Sequence, residues 1–170
     1  MQWCFGMKNT NKIDIYERAR LETENLKLWI DSRKDLIEQY IPQQSIDHPA
    51  ISLAHIICSI TDCIKTGDAT AINLGCDLLL ENKKICFGVS LKTRILSSLK
   101  TQRDLIPKGK KWQLTKLTIF LLSLDFPPRE IKWYCKLIKS FDPQFRNKII
   151  EKLAPTTREA QRWLDFFQKT

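Results

Sequence analysis

Apolar side chains recur every three or four residues along most of the chain, which is the periodicity of an amphipathic helix. The longest such stripe spans 12–41, where Glu22 and Arg33 interrupt it, so a break or an exposed portion is expected there. The members of this stripe are Ile15, Ala19, Leu26, Trp29, Leu36 and Tyr40. Further helices are predicted at 49–66, 69–82, 90–103, 112–124, 128–141, 143–154 and after Thr156. The pattern therefore predicts an all-α chain of about eight helices.

Residues that start and stop helices separate these segments. Pro42 ends the first helix, because proline lacks the donor that a helix interior needs. Gly67 suits the left-handed closing position, and Asp68 is the expected cap of the next helix. Thr156 with Glu159 has the spacing of a capping box. The only candidate strand is 85–89, in a chain without a hairpin signal, so helices are expected to make up more than two thirds of the fold.

A weak internal repeat relates the middle of the chain to its end. At an offset of 59 residues, Ile72, Cys76 and Leu79 align with Ile131, Cys135 and Ile138, and the preceding helices align at an offset of 64. This layout resembles the armadillo and HEAT-type repeats, in which antiparallel helices stack side by side. The resemblance covers roughly 50–154, contains no family signature and implies stacked helices behind a long N-terminal helix.

The length and composition are those of one globular domain, expected to span 1–170 with the long helix in 1–49 and stacked helices in 50–170. No apolar run approaches the ~20 residues of a membrane span, and the N-terminus has no signal-peptide pattern. We therefore expect a cytoplasmic protein. Its cysteines are then expected to be free thiols, mostly in the core. They are Cys4, Cys58, Cys63, Cys76, Cys86 and Cys135.

Positive charge is concentrated in the second half of the chain. Residues 85–170 hold 18 Lys and Arg against 7 Asp and Glu, whereas residues 1–84 hold 10 against 12. Such asymmetry favours an anionic partner, either an acidic protein surface or a nucleic acid.

The predicted helix 128–141 shows how this charge is arranged. Basic residues recur there at steps of three and four and form one stripe: Arg129, Lys132, Lys136 and Lys139. The opposite face is apolar and is expected in the core, with Trp133 and Leu137 on the flank beside the stripe. We expect the four cations to be exposed and unpaired with carboxylates.

Other candidates extend this surface. The segment 107–111 is predicted to be a basic loop containing Lys108, Lys110 and Lys111, and Arg158 and Arg162 lie one turn apart on the last helix. The tryptophans fall into two groups according to the residues around them in the sequence. Trp29 and Trp163 lie on apolar faces and are expected in the core, whereas those beside lysines are candidates for a binding surface. These are Trp112 and Trp133.

Three interpretations of the basic half remain open. Lysine is the common residue of a solvated helix face, so the charge can reflect composition alone. An aromatic ring beside cations is also the chemistry that stacks on an unpaired base, which suggests nucleic acid. Stacked helices make broad surfaces without any nucleic-acid motif, which favours a protein partner. The preferred hypothesis is a non-enzymatic binding or adaptor protein that contacts an acidic protein.

Enzymatic and metal-binding alternatives are weaker. His55 and Cys58 have a spacing at which two side chains can share a metal, but Cys63 follows at a poor angle for the same ion. His48 and His55 are the only histidines that could serve as the base of a cysteine nucleophile. No glycine-rich phosphate loop is present. We expect no metal and no cofactor.

Overall fold

The computed structural model describes residues 10–43 and 47–169, and every regular element in those ranges is helical. Helices make up 76% of the structure, which confirms the expectation of more than two thirds. The α-helices are α1 Thr10–Asp31, α2 Lys34–Ile37, α3 Pro49–Lys65, α4 Ala69–Glu81, α5 Gly88–Thr101, α6 Lys108–Leu122, α7 Ile131–Lys139, α8 Pro143–Lys152 and α9 Arg158–Gln168. Single 3-10 turns follow α2 at Glu38–Tyr40 and α5 at Arg103–Leu105.

The predicted helix 12–41 is broken at Arg33, one of the two residues that interrupt its stripe. The Arg33 guanidinium pairs with the Glu81 carboxylate at 2.6 Å and lies 4.8 Å from the Trp29 ring, which holds the turn between α1 and α2. Only part of the stripe is buried. Ile15 and Leu36, expected on the apolar face, are 64% and 53% exposed, since no helix of the described part of the chain covers them. The burial of Leu26, Trp29 and Tyr40 confirms the rest of the stripe, apart from Ala19, which is also exposed.

Local signals predicted the start of α4 correctly. Gly67 has a φ of 84°, and the Asp68 carboxylate accepts a hydrogen bond from the Ala71 N–H at 2.7 Å. The Tyr40 hydroxyl donates to the same carboxylate at 2.8 Å, so this cap also fastens the end of the N-terminal segment. Both interactions lower the pKa of Asp68.

Several boundaries differ from the prediction, and α7 begins at Ile131 rather than at Pro128. The candidate strand 85–89 is instead a turn into α5, in which the Cys86 N–H donates to the Glu22 carbonyl at 3.1 Å. The cap of α9 is Thr157 rather than Thr156, because it is the Thr157 hydroxyl that accepts from the Ala160 N–H. The segment 107–111 is not a loop, because α6 begins at Lys108 directly after the extended Pro107.

The helices enclose one continuous cluster of buried apolar side chains that runs from α1 to α9. Helix α3 packs against α4 and α5, and α6 packs against α4, α7 and α8. Contact between α5 and α7 joins the two groups, and α9 packs against α8. No helix in the described ranges is long and apolar enough to cross a bilayer.

Candidate binding surface on α7 and α9

Helix α7 has one buried and one exposed face. Its inner face consists of Ile131, Tyr134, Cys135 and Ile138, all buried as predicted, while Lys132 and Lys136 are exposed on the outer face. Leu137 was expected on the flank, but it is fully buried because α7 is enclosed by α5, α6 and α8. The exposed part of α7 is therefore narrower than the sequence indicated.

Trp133 lies on the flank of the exposed face, next to both lysines. Its half-buried ring lies 4.8 Å from the Lys136 ammonium and 5.7 Å from the Lys132 ammonium. Both distances fall within the range of a cation–π interaction, which contributes about 0.5–1 kcal/mol at an exposed site. The two lysines thus hold their charges close to one aromatic ring instead of extending freely into solvent.

Arg129 belongs to the same surface but not to the helix. It is exposed in the turn between Pro128 and α7, where the Ile131 N–H donates to the Pro128 carbonyl at 2.9 Å. Among the described residues, no carboxylate lies within 4.0 Å of the cationic groups of Arg129, Lys132 or Lys136. We call Arg129, Lys132, Trp133 and Lys136 the α7 basic surface.

Lys139 does not belong to this surface, although the stripe predicted it there. It is half-buried, and its ammonium donates to the Phe166 and Lys169 carbonyls at 2.7 Å each. The same ammonium lies 4.3 Å from the centre of the Phe166 ring. Lys139 therefore donates hydrogen bonds to carbonyl groups at the end of α9 that have no partner within the helix. A cation at this end also interacts favourably with the helix dipole.

The Phe166 ring that Lys139 contacts belongs to an aromatic pair on α9 that was not predicted to be part of a binding surface. Phe166 lies 5.3 Å from Trp163, and the Arg162 guanidinium lies 5.9 Å from the Trp163 ring. Trp163, expected in the core, is half-buried and packs against the edge of the core. Arg158 and Arg162 are both exposed, as a binding role requires.

The candidates at the start of α6 occupy a different environment. Lys108 is exposed, but Lys110 forms an ion pair with Asp77, and Lys111 is only 9% exposed with its ammonium 5.4 Å from the Phe141 ring. Trp112 packs against Phe145 at 4.5 Å between ring centres. Since α6 starts four residues earlier than predicted, Lys110 and Lys111 lie in its first turn, where Asp77 and Phe141 contact them. These contacts leave less of Lys110, Lys111 and Trp112 free for a partner than the sequence indicated, and their role in binding stays a prediction.

The environments of the described cysteines and histidines bear on the metal and nucleophile alternatives. His55 is exposed, and Cys58 accepts a contact from the Arg94 guanidinium at 3.4 Å. The described residues contain no group of three or more His, Cys, Asp or Glu that could hold a metal. The five cysteines in these ranges form no disulfide, and Cys4 lies outside them. Burial raises the pKa of the Cys76 thiol to about 12 and also raises that of Cys135.

No protein-family model matches the chain, and neither the curated proteins nor the solved structures include a significant match.

Proposed function

We propose that this chain is a non-enzymatic binding or adaptor protein of the cytoplasm whose α7 basic surface contacts an acidic surface of a protein partner. The observation that carries the proposal is the environment of Lys132 and Lys136. Both are exposed, neither has a carboxylate within 4.0 Å among the described residues, and both lie against Trp133. Free thiols at the five described cysteines fit a reducing compartment.

The tryptophan distinguishes this surface from an ordinary solvated face. Trp133 is half-buried against the core beside the two exposed lysines. Its ring offers a partner apolar contact area that solvated lysines alone do not provide. Tryptophan and arginine are also enriched among the residues that contribute most to protein–protein binding. Trp133, with Arg129 one turn before it, has that composition.

Nucleic acid is the second candidate, and the position of Lys136 argues against it. A base that stacks on tryptophan needs an open ring face. At 4.8 Å from the centre of the Trp133 ring, the Lys136 ammonium occupies space that a stacked base would fill. A carboxylate from an acidic protein instead approaches the two ammonium groups without displacing them from the ring.

We also propose that α3–α5 and α6–α8 are two related units of armadillo or HEAT type. Two observations support this relation. In each group the first helix packs against both of the others. The aligned positions of the middle helices are also all buried: Ile72, Cys76, Leu79, Ile131, Cys135 and Ile138.

Site-specific photocrosslinking in cells tests the partner class directly. A photoreactive phenylalanine analogue placed at Trp133 should crosslink to a protein with a cluster of acidic residues, and the same analogue at the exposed Lys116 of α6 should not. The adduct should disappear when Lys132 and Lys136 are both changed to Glu. Adducts that are degraded by nuclease but resist protease would instead establish nucleic acid as the partner and overturn the proposal.

A further inference from the structure

A cleft of about 590 Å³ lies beside the α7 basic surface, between α1, the start of α5 and the connection from α6 to α7. Its volume is in the range of sites that bind small molecules or peptide side chains. Arg129 lines the cleft and is also a member of the α7 basic surface. A partner on α7 would therefore extend into the cleft without leaving the protein surface.

Part of the apolar lining of the cleft, which we call its apolar wall, is open to solvent. It includes Val89, which is 48% exposed, the half-buried Leu124, and Phe126, which is 92% exposed. Phe126 lies in the short segment before the Pro127–Pro128 pair, where the prolines limit its backbone freedom. An aromatic side chain that is exposed to solvent beside a cavity leaves a large apolar surface in contact with water. It is therefore a favourable contact for an apolar residue of a partner.

The polar part of the cleft has an excess of positive charge. At its base, the ammonium of Lys92 lies 3.7 Å from the carboxylate of Glu130, and the two side chains are 7% and 8% exposed. Burial lowers the pKa of Lys92, and the nearby Glu130 carboxylate opposes that shift. Nearer the opening, Arg18 is paired with Glu22 at 3.0 Å.

The remaining cations of the lining are Lys84 and Arg129. Both are exposed, and neither has a carboxylate within 4.0 Å among the described residues. The cleft therefore offers an apolar wall and two free cations to whatever enters it. An occupant with an apolar side chain and an adjacent carboxylate complements both features.

We propose that this cleft receives an apolar anchor residue, flanked by acidic residues, from the partner that binds the α7 basic surface. This inference rests on the proposed function and adds the sequence character of the bound segment. The anchor packs on Val89, Leu124 and Phe126, and the carboxylates beside it face Lys84 and Arg129. Lys132 and Lys136 then contact acidic residues farther along the same segment.

Two short acidic peptides test this arrangement, one with a central Phe–Leu pair and the other with Ala–Ala in its place. We expect the wild-type protein to bind the Phe–Leu peptide at least roughly tenfold more tightly in a titration followed by calorimetry. The double substitution Val89→Gln with Phe126→Ser removes the apolar wall without changing charge. It should bring the two affinities to within about twofold of each other and leave the affinity for the Ala–Ala peptide unchanged.

Phe120→Ser is the matched control, because Phe120 is 54% exposed on α6 but does not line the cleft. It should preserve the preference for the Phe–Leu peptide. Equal affinities of the wild-type protein for the two peptides would overturn the cleft proposal, as would failure of both to bind at about millimolar concentration.

The Lys132→Glu, Lys136→Glu double variant separates this proposal from the proposed function. It should weaken binding of both peptides equally and keep the preference for Phe–Leu. If the preference exists but the double variant binds both peptides as well as wild type, the anchor site in the cleft is supported, and the proposed contact of the bound segment with the α7 basic surface is wrong.

Discussion

The start of α6 and the outer face of α7 are similar as sequences and different as structures. Each places lysines beside a tryptophan: Lys110, Lys111 and Trp112 in α6, and Lys132, Trp133 and Lys136 in α7. In α6 one lysine is ion-paired, the other is buried, and the tryptophan packs on Phe145. In α7 both lysines are exposed and lack a carboxylate partner among the described residues. The same residue types therefore stabilise the fold in one helix and are available to a partner in the other.

The difference arises from the neighbours of each helix. The first turn of α6 lies where α4, α7 and α8 meet it, so Asp77 of α4 and Phe141, which follows α7, reach its lysines. The contacts of α7 with α5, α6 and α8 cover its inner face and leave Lys132 and Lys136 in solvent. A cluster of cations is thus a candidate binding surface only when the packing of its own helix leaves it free.

The largest expected difference between the two regions is in how much a charge reversal lowers the free energy of unfolding. Lys111→Glu places a carboxylate in a site that is 9% exposed and beside the face of the Phe141 ring. It should lower the free energy of unfolding by about 3 kcal/mol, because a buried charge without a partner is strongly unfavourable. Lys132→Glu should change it by less than about 1 kcal/mol, since exposed charges contribute little. Urea denaturation of both variants measures the difference, and equal destabilisation would remove the distinction between the two helices.

Truncating the two tryptophans should give a smaller difference in the same direction. Trp112→Ala removes a ring that packs on the fully buried Phe145, and we expect a loss of about 3 kcal/mol. Trp133→Ala removes a ring that contacts two lysine side chains and the edge of the core, with an expected loss of about 1 kcal/mol. Thermal unfolding should then show a midpoint several degrees lower for Trp112→Ala. A midpoint for Trp133→Ala that is lower than the midpoint for Trp112→Ala would identify Trp133 as a core residue.

The smallest expected effect concerns Lys139. It belongs to the same sequence stripe as Lys132 and Lys136, but it is half-buried and hydrogen-bonded, whereas they are exposed. Lys139→Met removes the two hydrogen bonds to the Phe166 and Lys169 carbonyls and should cost about 1 kcal/mol, with faster amide exchange at the end of α9. Lys136→Met should leave that exchange unchanged. Identical exchange at the end of α9 in both variants would return Lys139 to the binding surface.

Local signals predicted most of the fold because they depend on neighbouring residues. The cap at Asp68, the positive φ of Gly67 and the proline starts of α3 and α8 involve only the adjacent backbone. The start of α6 was missed because the segment 107–111 contains a proline, a glycine and three lysines, a composition typical of loops. Burial of the Lys111 stem against Phe141, thirty positions away, is a tertiary effect that no local pattern contains.

The candidate surface was predictable only where its features depend on the periodicity of α7 itself. The periodicity of α7 identified its inner face and the exposure of Lys132 and Lys136. It failed for Lys139 and Leu137, because their environments depend on how α7 packs against other helices and against α9. The cleft had no sequence signal, since its lining comes from three separate parts of the chain.

The central claim is that the α7 basic surface, rather than the net charge of the chain, binds the acidic partner. Its most direct test is the affinity for the acidic Phe–Leu peptide of two variants with the same change in charge. Lys132→Glu with Lys136→Glu alters the surface, whereas Lys100→Glu with Lys116→Glu alters one exposed lysine of α5 and one of α6. At low ionic strength, we expect the first pair to weaken binding at least roughly tenfold and the second pair by less than about threefold. Equal losses in the two variants, or none in the first, would contradict the claim.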